Sequence, residues 1–329
     1  MKLIVRRQIG RTELVPLISV FSLMFLLSVE VKAIPNGGYA RPELLIQPEE
    51  LKTQIDRKAP DIRVIDIRGK SKYLAGHIPG AVNVWRPDIV DKNHPLPGMM
   101  ASQVQIEELM GRLGISHRDT VVIYSDGPDN GRLWWILAYY GFPIGQLRLL
   151  DGGLDGWKAK SFPTESIPPQ ITPTSFRLPG KTGIKESLLC NLPEVREASK
   201  DPKRVILDVR ASKEYLGEET LSGAVRPGRI PGVKWMEWKE VLIKEGTYKG
   251  YWKTAEEIRK LFVDIGVTPD KEIYIHCQSG VRSAHSLMTL YLVGHPLEKL
   301  HNYDGSWIEW SRSEEPIETG PPIAGSGKK

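Results

Sequence analysis

The chain repeats itself, and the repetition constrains its fold more than any single motif does. A β-branched run closing on an acid and an arginine, Arg63-Val64-Ile65-Asp66-Ile67-Arg68, returns as Arg204-Val205-Ile206-Leu207-Asp208-Val209-Arg210. Gly76-His77-Ile78-Pro79-Gly80-Ala81 returns as Gly228-Arg229-Ile230-Pro231-Gly232-Val233, ten residues after Asp66 in one copy and twenty after Asp208 in the other. The second copy therefore carries an insertion. Beyond it the spacing is regained: His77 to Ser125 and Arg229 to Cys277 are both 48 residues. Asp151–Trp157 then answers to Asp304–Trp310. Landmarks in one order at matched spacing define two copies of one unit.

Each copy alternates short apolar runs with helical periodicity. Val121–Tyr124 and Ile273–His276 read as buried strands. Ile106, Leu109 and Leu113 share one helical face, as do Ile258, Leu261, Phe262 and Ile265, and the two patterns end at Gly114 and Gly266. Strands alternating with helices predict an α/β fold: two tandem domains, each a mostly parallel sheet with helices on both faces. Pro163, Pro168, Pro169, Pro173 and Pro179 forbid a continuous helix between the copies. The expected organisation is a first domain over 42–160, an extended proline-rich linker over 161–187, a second domain over 188–312 and a mobile tail over 313–329.

With 40% hydrophobic and 26% charged residues, the 329-residue chain has globular composition. Its net charge of +5 falls to +2 once residues 1–33 are set aside, so no nucleic-acid partner is expected. Lys2, Arg6, Arg7 and Arg11 precede the apolar stretch Leu14–Val29, and Val31-Lys32-Ala33 offers small residues where a signal peptidase reads. This predicts a cleaved signal peptide over 1–33 and an exported, periplasmic protein without stable membrane contact. If retained, the segment would anchor the chain, although it is shorter than the roughly 20 residues that span a bilayer.

The two cysteines have opposite surroundings. Cys190 lies among Leu188, Leu189 and Leu192 and reads as a packing residue; a disulfide with Cys277 would disable the latter. Cys277 follows a strand and opens Gln278-Ser279-Gly280-Val281-Arg282, ahead of a helix from about Val281 to Val293. A glycine-containing turn at a helix start can point several N–H groups at one place, and an adjacent arginine favours a thiolate there. The first copy has Ser125 at this position. The seven histidines show no metal-ligand spacing, so neither a metal nor a cofactor is expected.

At these residues, from about Pro42 to Arg312, the sequence resembles the tandem rhodanese family of thiosulfate and 3-mercaptopyruvate sulfurtransferases. The resemblance implies an enzyme whose Cys277 takes a sulfane sulfur from a small donor and passes the persulfide sulfur to cyanide or a thiol. It implies substrate contacts from the loop residues Gln278, Ser279, Gly280, Val281 and Arg282 and from Arg210, whose alternative is to pair with Asp208. In the mercaptopyruvate branch the loop serine is proposed to work with an aspartate and a histidine, which Ser279, Asp66 and His77 match. Gln278 and Arg282 depart from that branch's Cys-Gly-Ser-Gly-Val-Thr, and a cationic loop end suits thiosulfate, the expected donor. Phosphatases with a Cys-x5-Arg loop differ by one residue from the Cys-x4-Arg here. A third alternative is an exported persulfide carrier without multiple turnovers, docking through the aromatic cluster from Trp235 to Trp252. Two fused copies satisfy the interface one domain would seek in a partner, so a monomer is expected.

Overall fold

Strand register superimposes the two copies. The computed structural model describes residues 37–180 and 184–322. Its first sheet contains β1 (Leu45–Ile46), β2 (Ile62–Asp66), β3 (Val82–Asn83), β4 (Thr120–Tyr124) and β5 (Leu147–Leu150), ordered β1-β5-β4-β2-β3. Its second contains β6 (Leu189–Cys190), β7 (Arg204–Asp208), β8 (Lys234–Trp235), β9 (Glu272–His276) and β10 (Leu300–Tyr303), ordered β6-β10-β9-β7-β8. Every pairing between these strands is parallel. Asp66 pairs with Tyr124 and Asp208 with His276, so Ser125 and Cys277 leave equivalent strand ends. The α/β reading with parallel sheets holds.

Side chains alternate across a strand, and here the alternation sorts the core. Val121 and Ile123 of β4, with Ile273 and Ile275 of β9, enter one apolar cluster that runs through both copies. Val122 and Tyr124 face a second cluster behind the first sheet, and Tyr274 a third behind the second sheet. Between the sheets lie the helices Asp129–Tyr139 and Val281–Leu292, buried along nearly their whole length. Their approach depends on Gly131, whose added Cβ would overlap His285 Cα and lie 2.9 Å from its backbone nitrogen. Trp134 and Trp135, on the first of these helices, are fully buried. Both sheets belong to one compact unit.

The segment after residue 160 is extended and strapped to the first copy: Glu165 exchanges two backbone hydrogen bonds with His77, Thr174 N–H donates to Gly111 O, and Phe176 and Leu178 are buried. The expected mobile tail is corrected over its described part. Arg229 exchanges backbone hydrogen bonds with Glu318, Gly320 N–H donates to Leu216 O, and Arg226 donates to the carbonyls of Ser313 and Glu315. Proline and charge suggested mobility, yet the carbonyls of this extended segment meet two arginines of the insertion region. The leader over 1–33 and the tail from 323 lie outside the described residues. Among the described residues no helix is long and apolar enough to cross a membrane.

Candidate active site

Cys277 leaves β9 into a turn that Gly280, at φ +72°, closes onto the helix Val281–Leu292. Only glycine fits there: a Cβ would lie 2.7 Å from Arg132 Nη1 and 3.1 Å from Asp304 Cα. The turn is braced by the helix Ser306–Trp310. Ser306 Oγ accepts the N–H groups of Cys277 (3.1 Å) and Gly280 (3.0 Å) while donating to Tyr303 O at 2.6 Å. Trp307 and Ile308 N–H donate to the carbonyls of Cys277 and Gln278 at 3.0 and 3.1 Å. With those carbonyls occupied on one side, the N–H groups of Ser279 and Ser283 turn toward the sulfur.

The thiol is 1% exposed, and Ser283 Oγ donates to Sγ at 3.6 Å. Burial pushes the Cys277 thiol up, but the Arg282 guanidinium, the Ser283 and Ser279 N–H groups and the Ser283 hydroxyl outweigh it, leaving it below the ordinary thiol value. Arg282 is fixed by Glu214, Nη1 to Oε2 at 2.6 Å and Nη2 to Oε1 at 2.8 Å. His276, one residue before the cysteine, is held neutral by burial, which lowers it to about 4 despite Asp208 at 3.6 Å. Cys190 contrasts at every point: it packs with Val195, Ile206 and Tyr303, and burial drives its thiol well up. Both cysteines are free.

The first copy also reaches the site. Gly98 lies against Ser279, where an added Cβ would stand 3.1 Å from the serine Cβ. Met100 N–H donates to Asp304 at 2.9 Å, and Arg132 pairs with Asp304 while donating to Gly280 O and Gly98 O. Arg86, paired with Asp129, is 46% exposed, and its charge is stabilised by that of Cys277 and opposed by that of Arg282. Sequence reasoning missed Arg86, Arg132, Glu214, Ser283 and Ser306. The motif match included Ser306 only as a landmark, and the others join the site through contacts without a spacing signature.

Three expectations are corrected. Arg210 is 1% exposed: its Nε and Nη2 donate to Asp208, Nη2 also to Gly228 O at 2.8 Å, and its guanidinium lies 4.5 Å from the Trp307 ring. Arg68 makes the same bonds to Asp66 and Gly76 O in the copy lacking a cysteine, so the Asp-x-Arg pair is a brace of the repeat. Asp66 and His77, proposed to assist Ser279, are fully buried inside the first copy. Asp66 accepts from Arg68 and Tyr124, and His77 stacks on Tyr73 at 3.8 Å. Gln278 lends only its backbone to the turn, because its side chain donates to Leu221 O and Ser222 O of the insertion.

The Rhodanese-like domain matches this chain twice, over residues 47–160 and 191–313. The chain is 35% identical to the sulfur carrier protein TtuD of Thermus thermophilus, over 87% of this chain and 98% of that one. It is 31% identical to a thiosulfate sulfurtransferase of Corynebacterium glutamicum (86% and 92% covered) and 30% identical to the 3-mercaptopyruvate sulfurtransferase of Escherichia coli (79% and 92%). In fold it is similar to the anaerobic ergothioneine biosynthesis enzyme of Chlorobium limicola, with a TM-score of 0.72 at 24% identity over 86% of this chain and 72% of that one. YnjE gives the same TM-score at 23% identity, over 86% and 70%. The chain belongs to the rhodanese family and carries two copies of its domain in tandem.

Proposed function

We propose that this sulfurtransferase takes its sulfur from thiosulfate, with Cys277 as the nucleophile. The Cys277 thiolate attacks the outer sulfur of thiosulfate; the new S–S bond forms as the old one breaks, and sulfite departs with the bonding pair. The persulfide anion then gives its outer sulfur to cyanide, forming thiocyanate, or to a thiolate, forming a second persulfide, and the Cys277 thiolate returns. The N–H groups of Ser279 and Ser283 favour the anionic sulfur before and after transfer, in a site from which water is largely excluded.

The observation that carries the donor assignment is the cationic end of the loop, Arg282 clamped by Glu214, with Arg86 of the first copy as a second charge. Two guanidinium groups suit a dianion better than a monocarboxylate. Asp66 and His77, inside the first copy, leave Ser279 without the partners that the mercaptopyruvate reading asks for. A thiosulfate enzyme and a carrier are both represented among the relatives, and turnover separates them: repeated thiocyanate formation fits the enzyme, whereas one sulfite per chain fits the carrier. Parallel kinetics with thiosulfate and 3-mercaptopyruvate test the donor, and a higher kcat/KM for 3-mercaptopyruvate overturns it. Failure of the Cys277 peptide to gain one sulfur atom by mass spectrometry after thiosulfate exposure overturns the nucleophile.

We also propose export of the chain and action as a monomer. The basic-then-apolar leader supports the first, and N-terminal sequencing beginning at Ile34 tests it. The apolar cluster shared by both copies supports the second, and sedimentation equilibrium tests it.

A further inference from the structure

The counterpart of the Cys277 site in the first copy has not closed up. Beside Ser125 lies a cavity of about 300 Å³, walled from the second copy by Trp238, Trp252 and His285. Its differences from the cysteine side are coordinated. Where the cysteine side has Arg86, the corresponding position here holds Trp238; Asn130 stands for Arg282, and Pro128 for Gly280. Pro128 has no N–H to offer, so the turn itself is no anion cradle awaiting a sulfur donor. An aromatic wall has replaced the cationic one.

His285 forms part of that aromatic wall. It is 1% exposed, stacks on Trp252 at 5.2 Å and 10°, and meets Trp238 edge-on at 5.1 Å. Its Nδ1 is buried without a hydrogen-bond partner, an unfavourable state that a ligand hydroxyl would relieve. Burial lowers this histidine to about 3, so the ring is neutral and offers one donor and one acceptor nitrogen. Lys158 of the first copy and Lys249 of the second line the same cavity, both exposed and neither in a salt bridge among the described residues. The other charged groups of the lining are balanced or single: Arg68 is tied to Asp66 and Asp126 to Lys72, leaving Asp155 against two lysines.

We propose that this cavity binds a small hydroxylated aromatic carboxylate, its ring against Trp238 and Trp252, its hydroxyl on His285 Nδ1 and its carboxylate between Lys158 and Lys249. Apolar walls with a few placed polar groups are the ordinary make-up of a small-molecule site, and both copies supply parts of it.

Isothermal titration of the full chain, with Cys277 carbamidomethylated to block the catalytic side, tests this with 4-hydroxybenzoate, benzoate and benzylamine as probes. The expected order is 4-hydroxybenzoate tightest, benzoate next and benzylamine weakest. The double variant Lys158→Glu/Lys249→Glu, altered only at exposed positions, is expected to bind 4-hydroxybenzoate roughly tenfold more weakly or worse while keeping its melting temperature and sulfur transfer. His285→Phe is expected to abolish the advantage of 4-hydroxybenzoate over benzoate. The proposal is overturned if no probe binds saturably, if benzylamine binds as well as benzoate, or if the lysine variant binds unchanged.

Discussion

Glu214 grips Arg282 with both carboxylate oxygens, at 2.6 and 2.8 Å, and so fixes a guanidinium beside the Cys277 sulfur. Arg282 is the foremost influence lowering the thiol, against burial that raises it. Arg282→Thr therefore shifts the pH midpoint of Cys277 alkylation by iodoacetamide upward. The same variant should lower kcat/KM for thiosulfate by about 10- to 100-fold, with a smaller loss for 3-mercaptopyruvate. An unmoved alkylation profile, or equal losses for the two donors, contradicts the assignment.

Arg68 and Arg210 are expected to behave alike although only one lies near the cysteine. Each fills the same bonds to a buried aspartate and a glycine carbonyl. Arg68→Ala and Arg210→Ala each leave a buried carboxylate without its partner, at a cost of about 3–5 kcal/mol in stability. Urea denaturation reads that loss. A substrate role for Arg210 would instead appear as a raised KM for thiosulfate with stability unchanged.

The strands, the helix faces and the position of Cys277 were legible because each rests on local periodicity or on a count of residues. Val121 to Tyr124 alternates between two cores, and equal spacing from Gly76–Ala81 and Gly228–Val233 brings Ser125 and Cys277 to equivalent strand ends. Arg210 was misjudged because a motif match does not tell a guanidinium that faces a ligand from one that faces Asp208. Arg86 and Arg132 were invisible because they meet the site across the packed helices, a relation that no spacing within one copy encodes. The segment 313–322 was misread because proline and charge describe a chain's solubility, not the arginines waiting for its carbonyls.

Gly131→Ala tests how strictly the two copies depend on one another. A methyl group there lies 2.8 Å from His285 Cβ and 2.9 Å from its nitrogen, and a helix backbone cannot move aside as a flexible side chain does. The variant should lose about 1–3 kcal/mol, read as a lower melting temperature. Because Arg132 is the next residue and holds Gly280 and Asp304, sulfur transfer should fall with it. An unchanged melting temperature would mean that the helices Asp129–Tyr139 and Val281–Leu292 leave room for a methyl group between Gly131 and His285.

Asp151 joins the copies by a different means and gives stability a pH signature. Its Oδ1 accepts the Trp252 N–H at 3.0 Å and its Oδ2 accepts Gln47 Nε2 at 2.9 Å, yet burial outweighs both and raises the carboxyl to about 6. An ordinary aspartate in the unfolded chain titrates near 4. Between those values the folded chain holds the extra proton, so this group's contribution is full below about pH 4 and is lost as pH rises through 6. A shift of that size corresponds to roughly 3 kcal/mol. Asp151→Asn, neutral at every pH, should therefore gain stability relative to wild type by about that amount between pH 4 and pH 7, measured as the difference between their urea midpoints. A difference that stays constant across this range would show that the folded carboxyl titrates no differently from that of the unfolded chain.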